Sequence, residues 1–148
     1  MPTPALQFLR RMWVVNNALE SLSSAMLAKL GVTGPQRLVV RTIGTLGQVS
    51  AGQLARELRL HPSTLTGLLQ RLEARGFVVR TRDPDDARRI LLTLAESGRT
   101  LDTLKGGTVE AAMERAVASL SPEEGAVVQR WLEVFAVELA NERKGLLG

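Results

Sequence analysis

Arg80, Arg82, Arg88 and Arg89 flank a short acidic run, Asp83-Pro84-Asp85-Asp86, so one stretch of this chain holds four guanidinium groups. A guanidinium is permanently charged, and its five donors match phosphate oxygens and base-edge acceptors. Just upstream, Ser63, Thr64, Thr66, Gln70 and Arg71 fall away from the leucines of a helical pattern. Small hydroxyl and amide side chains on such a face suit base edges in a major groove, and the amides at the helix start attract phosphate. The chemistry both sets point to is non-covalent recognition of duplex nucleic acid.

Other chemistries lack their residues. The 148-residue chain has no cysteine, no tyrosine and one histidine, His61. That removes disulfides, thiolate nucleophiles and the usual metal ligands. No catalytic residue, metal site or cofactor is expected. Asp83, Asp85 and Asp86 lie together, but on a turn, where solvation and loop ordering explain them. Net charge is +4, so the placement of arginines must carry the argument rather than total charge. Arg10 and Arg11 interrupt the stretch that a signal peptide keeps apolar, which argues for a cytoplasmic protein.

The elements that position these residues follow from periodicity and punctuation. Residues 5–30 have helical spacing and stop at Gly31. Thr33-Gly34-Pro35-Gln36 reads as a capping box opening a helix with Leu38, Val39, Thr42, Ile43 and Leu46 inward. Ser50-Ala51-Gly52-Gln53 reads as a second box, opening a short helix with Leu54, Ala55 and Leu58 inward. Arg59-Leu60-His61 makes a turn, and Pro62 starts a helix that buries Leu65, Leu68, Leu69 and Leu72 and ends at Gly76. Residues 77–82 and 89–94 alternate as strands around the acidic turn, with Ile90, Leu92 and Leu94 on one face.

Residues 95–120 return to helical spacing, broken at Gly106-Gly107. Ser121-Pro122-Glu123-Glu124 is a third box, opening a helix to about Lys144 whose apolar residues wrap most of its circumference. Such a helix needs cover on more than one side, and a second subunit is a natural source. The fold class is mainly α with a small β-hairpin wing: a winged helix-turn-helix lobe plus a helical dimerisation region.

Plainer readings stand beside these. The outer face of the helix from Pro62 is otherwise a solvated surface, and Asp86 otherwise pairs with Arg88 or Arg89 only to order the loop. Both hold together if Asp86 aims Arg88 outward. His61 reads as a cap or phosphate contact, Trp13 and Trp131 as core or interface residues, and Arg37 and Arg41 as a solvated face. The alternative function is a winged-helix module that binds only proteins.

The chain resembles the MarR family of transcriptional regulators. The resemblance rests on Leu54-Ala55-Arg56-Glu57-Leu58, on Ser63-Thr64-Leu65-Thr66 leading to Arg71-Leu72-Glu73-Ala74-Arg75-Gly76-Phe77-Val78, and on Arg82-Asp83-Pro84-Asp85-Asp86-Ala87-Arg88 followed by Leu92-Thr93-Leu94 and Gly98. It implies one domain, with residues 33–94 as the DNA-binding lobe and residues 1–32 and 95–148 as the dimerisation region. It implies that Ser63, Thr64, Thr66 and Arg71 belong to a recognition helix, with Arg88 as the wing-tip arginine held by Asp86. Gln70, Arg82 and Arg89 complete the expected DNA-binding set. The implied protein is a homodimer on a pseudo-palindromic operator, a repressor whose DNA affinity a small aromatic or acidic ligand modulates. A groove near Trp13, Asn17 and Arg41 is the expected ligand site. Three positions depart from the family pattern: Ala95 replaces a capping threonine, Gly67 an arginine, and Arg59 a turn glycine.

Overall fold

Thr33 and Gln36 cap each other as expected. The Thr33 hydroxyl accepts from the Gln36 amide, and the Gln36 side chain accepts from the Thr33 amide at 2.9 Å. This box opens α2 (Gly34–Leu46), the helix around which the first part of the chain is built. In the computed structural model, which describes all residues from Met1 to Gly148, α2 packs against α1 (Pro4–Leu30), α3 (Ala51–Leu58), α4 (Pro62–Ala74) and α5 (Glu96–Asp102). It also packs against the middle strand of a three-stranded antiparallel sheet, in the order β1 (Val49–Ser50), β3 (Ile90–Leu94), β2 (Val78–Arg82). α6 (Val109–Val117) and α7 (Pro122–Leu147) complete the chain, which divides into two units, Met1–Ala111 and Ala112–Gly148.

The core of the first unit joins Val39, Val40 and Ile43 of α2 to Leu54 and Ala55 of α3, Leu65, Leu69 and Leu72 of α4, and Val49, Val78, Leu92 and Leu94 of the sheet. The buried stripe of α2 therefore runs through Gln36, Val39, Val40 and Ile43, not through Leu38 and Leu46. Leu38 is 52% exposed. Two i, i+4 series compete on this helix, and the β-branched one wins because α2 is enclosed by α4 and β3 on that side.

Four further expectations change. Ser50 accepts from the Gln53 amide, but only this half of the expected box is built. Ser50 also ends β1, where it pairs with Leu91, so its main chain belongs to the sheet. The sheet thus has a third strand beyond the hairpin, and Leu91 is buried as well as Leu92. The break expected at Gly106-Gly107 is wider than the two glycines: all of residues 103–108 lie outside helix, which leaves two separate helices. α7 runs to Leu147, past Lys144.

α5 starts at Ala95, whose methyl group offers no capping oxygen. We expect Ala95→Thr to raise stability by about 1 kcal/mol, read as a denaturant midpoint shift at constant slope. No shift would mean that the α5 amides are already satisfied.

α7 begins with the expected box between Ser121 and Glu124. Glu123 beside it sits below the usual carboxylate range, through hydrogen bonds to its own amide and to Ser121. A depressed carboxylate stabilises above its unfolded pKa, and that contribution fades on acidification. Trp131 and Phe135 stack at 5.4 Å between ring centroids, and no residue of α7 is buried.

Candidate nucleic-acid interface

The turn between α3 and α4 is made at Arg59, whose φ of 51° and ψ of 39° put it in the left-handed region. It is the sole residue other than glycine with positive φ, and it stands where the family pattern has glycine. The Leu60 amide then donates to the Ala55 carbonyl at 3.0 Å, closing the turn. His61 caps α4: its Nδ1 accepts from the Ser63 amide at 3.2 Å and from the Ser63 hydroxyl at 2.7 Å. Pro62 supplies the first turn, where its missing amide hydrogen costs nothing.

Leu65, Leu69 and Leu72 anchor α4 in the core, which turns Ser63, Thr64, Thr66, Gln70 and Arg71 to the exterior. Two of these five are partly engaged. Ser63 is tied to His61, and the Thr66 hydroxyl donates to the Pro62 carbonyl at 2.8 Å. Thr64, Gln70 and Arg71 are exposed along the same helix. Gly67 has nothing near its α-carbon that a methyl group would meet, so the centre of this face is open.

The wing is ordered by two aspartates with different jobs. The Asp83 carboxylate accepts from the Asp85 amide at 2.9 Å and pairs with Arg89 at 3.7 Å. The Asp86 carboxylate accepts from the Arg88 amide at 3.0 Å. The main chain closes the loop through Asp83 N to Arg89 O at 2.9 Å and Arg89 N to Asp86 O at 2.8 Å. Asp86 therefore fixes the backbone at Arg88 and leaves that guanidinium exposed. Arg82 is exposed too, opposite Ile90 in the ladder.

Arg80 does not belong to the tip cluster. It sits further down β2 and bonds Glu73 of α4, so this pair ties the wing to the helix beside it. No short-range spacing signals the pair, because seven residues and a turn separate its members.

Trp13 and Asn17, expected with Arg41 around a ligand groove, do not line the hollow that Arg41 borders. Trp13 is 59% exposed on α1, and Asn17 is exposed on the same helix. The Arg41 guanidinium is already engaged by Asp102, at 2.7 Å to the carboxylate and 3.0 Å to the carbonyl. A shallow hollow of about 310 Å³ beside Arg41 is lined by Thr42, Thr45, Leu46, Glu57 and Leu58, with neither Trp13 nor Asn17. Arg37 departs furthest from its reading as a solvated residue: it is fully buried, bonded to Glu110 and to the carbonyls of Leu101 and Leu104. No group of three or more histidine, aspartate or glutamate side chains is placed to hold a metal ion. No helix is long and apolar enough to cross a membrane.

Helix, turn, helix and a following two-stranded ribbon define the winged helix-turn-helix class. Residues 32–98 match the MarR family. The chain is 31% identical over 110 residues to the HTH-type transcriptional repressor Rv2887 of Mycobacterium tuberculosis, covering 74% of this chain and 79% of that one. It is 29% identical over 141 residues to the HTH-type transcriptional regulator YfiV of Bacillus subtilis, covering 91% and 87%. Among solved structures it is similar to reduced AbfR bound to DNA, with 28% identity, a TM-score of 0.64, and coverage of 92% and 94%. The chain belongs to the MarR family of transcriptional regulators.

Proposed function

We propose that this protein is a homodimeric, sequence-specific DNA-binding regulator, a repressor acting in the cytoplasm without enzymatic chemistry, whose DNA affinity a small aromatic or acidic ligand modulates. The observation that carries the reading is the wing tip: Asp86 holds the backbone at Arg88 while the guanidinium stays exposed, on the lobe that also presents Thr64, Gln70 and Arg71. AbfR, at 28% identity, is bound to DNA, and the Mycobacterium tuberculosis relative is named a repressor.

In this reading Thr64, Gln70 and Arg71 face the major groove, with the methyl group of Thr66 and the Ser63 hydroxyl beside them. Arg88 enters the flanking minor groove, and Arg82 and Arg89 contact phosphates. Residues 33–94 form the reading lobe, and residues 1–32 and 95–148 supply the subunit contacts. Exposed Leu6, Phe8, Trp13 and Val14 of α1, and Val127, Val134, Val137 and Leu139 of α7, are apolar area that a second copy would cover. A module that binds only proteins is not favoured, since nothing in it calls for an exposed arginine held at the tip of a ribbon.

Sequencing of genomic fragments retained by the purified protein tests the reading. Enrichment of an inverted repeat with half-sites about 10 bp apart is expected; a retained pool with no enriched sequence would contradict it. Arg88→Ala is expected to weaken binding to that site by about 1–3 kcal/mol. An unchanged titration would reduce Arg88 to a loop residue. The affinity should also fall steeply as salt rises from about 50 to 200 mM.

A further inference from the structure

The residue just past the end of α4 touches the end of α1. Arg75 caps α4 at its C-terminus, and its Nη1 donates to the Gly31 carbonyl at 2.7 Å, across 44 positions of sequence. Gly31 is itself the cap of α1: it is left-handed at φ 78°, and its amide donates to Leu27 O at 3.1 Å. Its carbonyl lies just beyond the negative end of the helix dipole, where a cation is favoured. Helices usually place such a cation on their own last turn; here a different helix provides it.

The fit at this contact is close. A methyl group at Gly31 would come within 3.0 Å of the same Arg75 nitrogen and 3.7 Å of the Phe77 ring. The junction of α4 and β2, residues 75–77, is thus seated on the end of α1. Arg75 is exposed, and exposed contacts of this kind add little to stability. What the bond does supply is direction: it fixes one end of α4 to the end of α1.

We infer that Arg75 is a positioning residue that sets the angle of the recognition helix against α1. The consequence for half-site spacing rests on the proposed function, in which α1 belongs to the subunit interface. With that interface fixed, the angle at Gly31 determines how far apart two recognition helices stand, and so which half-site spacing they accept. The Glu73–Arg80 pair holds the wing to α4, so the wing would follow the helix.

The absence of cysteine makes the inference directly measurable. Ser24→Cys on α1 and Ala74→Cys on α4 provide a spin-label pair at exposed positions, diluted with unlabelled chain so that distances within one chain are read. With Arg75 present we expect a single narrow distance. Arg75→Ala should broaden or shift it, and Arg75→Lys, which keeps the charge and a donor, should recover most of it. A distribution unchanged in Arg75→Ala would overturn the inference, whether or not the protein binds DNA.

On unlabelled protein, Arg75→Ala should reduce the preference for the enriched half-site spacing over a spacing one base pair longer by about 2- to 30-fold, while Arg75→Lys keeps it. An unchanged preference counts against the positioning role. If the parent protein selects no sequence at all, the proposed function fails, and the label distances still decide the role of Arg75.

Discussion

Arg37→Ala is expected to destabilise the fold by about 3–5 kcal/mol, the range for breaking a buried, hydrogen-bonded ion pair. Arg37 is among the largest fully buried side chains, at 0% exposure. Its Nε bonds Glu110 at the start of α6, and its two terminal nitrogens bond the carbonyls of Leu101 and Leu104 around the end of α5. Leu101 lies in the last turn of α5, where its carbonyl also accepts from the Leu104 amide, and Leu104 lies just past the helix, so the guanidinium clamps the chain where it leaves α5. Alanine would remove the Arg37 bonds to both carbonyls, leave Glu110 without its cation, and open a cavity under α5. Against a typical stability of about 5–15 kcal/mol, that is a large share.

Arg41→Ala provides the internal control. Arg41 stands one turn further along α2 and reaches the same end of α5, but its side chain is 41% exposed. Its loss should cost no more than about 1 kcal/mol. Chemical denaturation of both variants at one protein concentration separates the two cases. Equal costs would mean that burial does not govern the Arg37 network.

Gly98→Ala is the second large effect, about 3 kcal/mol, at the upper end of overpacking costs. A methyl group at Gly98 would press into the Phe77 carbonyl oxygen, which is main chain and cannot rotate away. The same oxygen accepts from the Ala95 amide at 3.0 Å, and Ser97 donates to the Gly76 carbonyl at 2.7 Å. The first turn of α5 is therefore bolted to the base of the wing, and the only relief is to part them. Gly67→Ala makes the contrast. It lies within α4 with open space around it, so alanine there should stabilise by about 0.5–1 kcal/mol. Thermal unfolding of the two variants should move in opposite directions; a rise for Gly98→Ala would show that the α5–wing contact is not tight.

These two sites also show what was legible in the sequence. Gly98 could be read as part of a family pattern, but the reason for it is a backbone approach that no local rule reveals. The caps at Thr33, His61 and Ser121 were legible because a cap is a short-range bond between residues three or fewer apart. The leucines of α4 were legible from their period. β1 was not, since two residues carry no period.

Arg37 was misread for two reasons. Arginine is seldom fully buried, and its partner Glu110 lies 73 positions away. Within the wing, the turn was legible from its aspartates, but their division of labour was not. Asp83 takes the Arg89 side chain and Asp86 takes the Arg88 amide, a distinction that depends on loop geometry alone. The Arg41–Asp102 pair was hidden in the same way, so Arg41 looked available to a ligand when α5 already answers its charge.

The central claim is sequence-specific recognition of DNA by this lobe. Its most direct test is a competition titration at physiological salt, in which random duplex displaces the enriched inverted repeat. We predict that at least about 10³-fold more random duplex than specific site is needed for equal displacement, a ratio that falls in Arg88→Ala. Equal displacement by random and specific duplex would contradict the account.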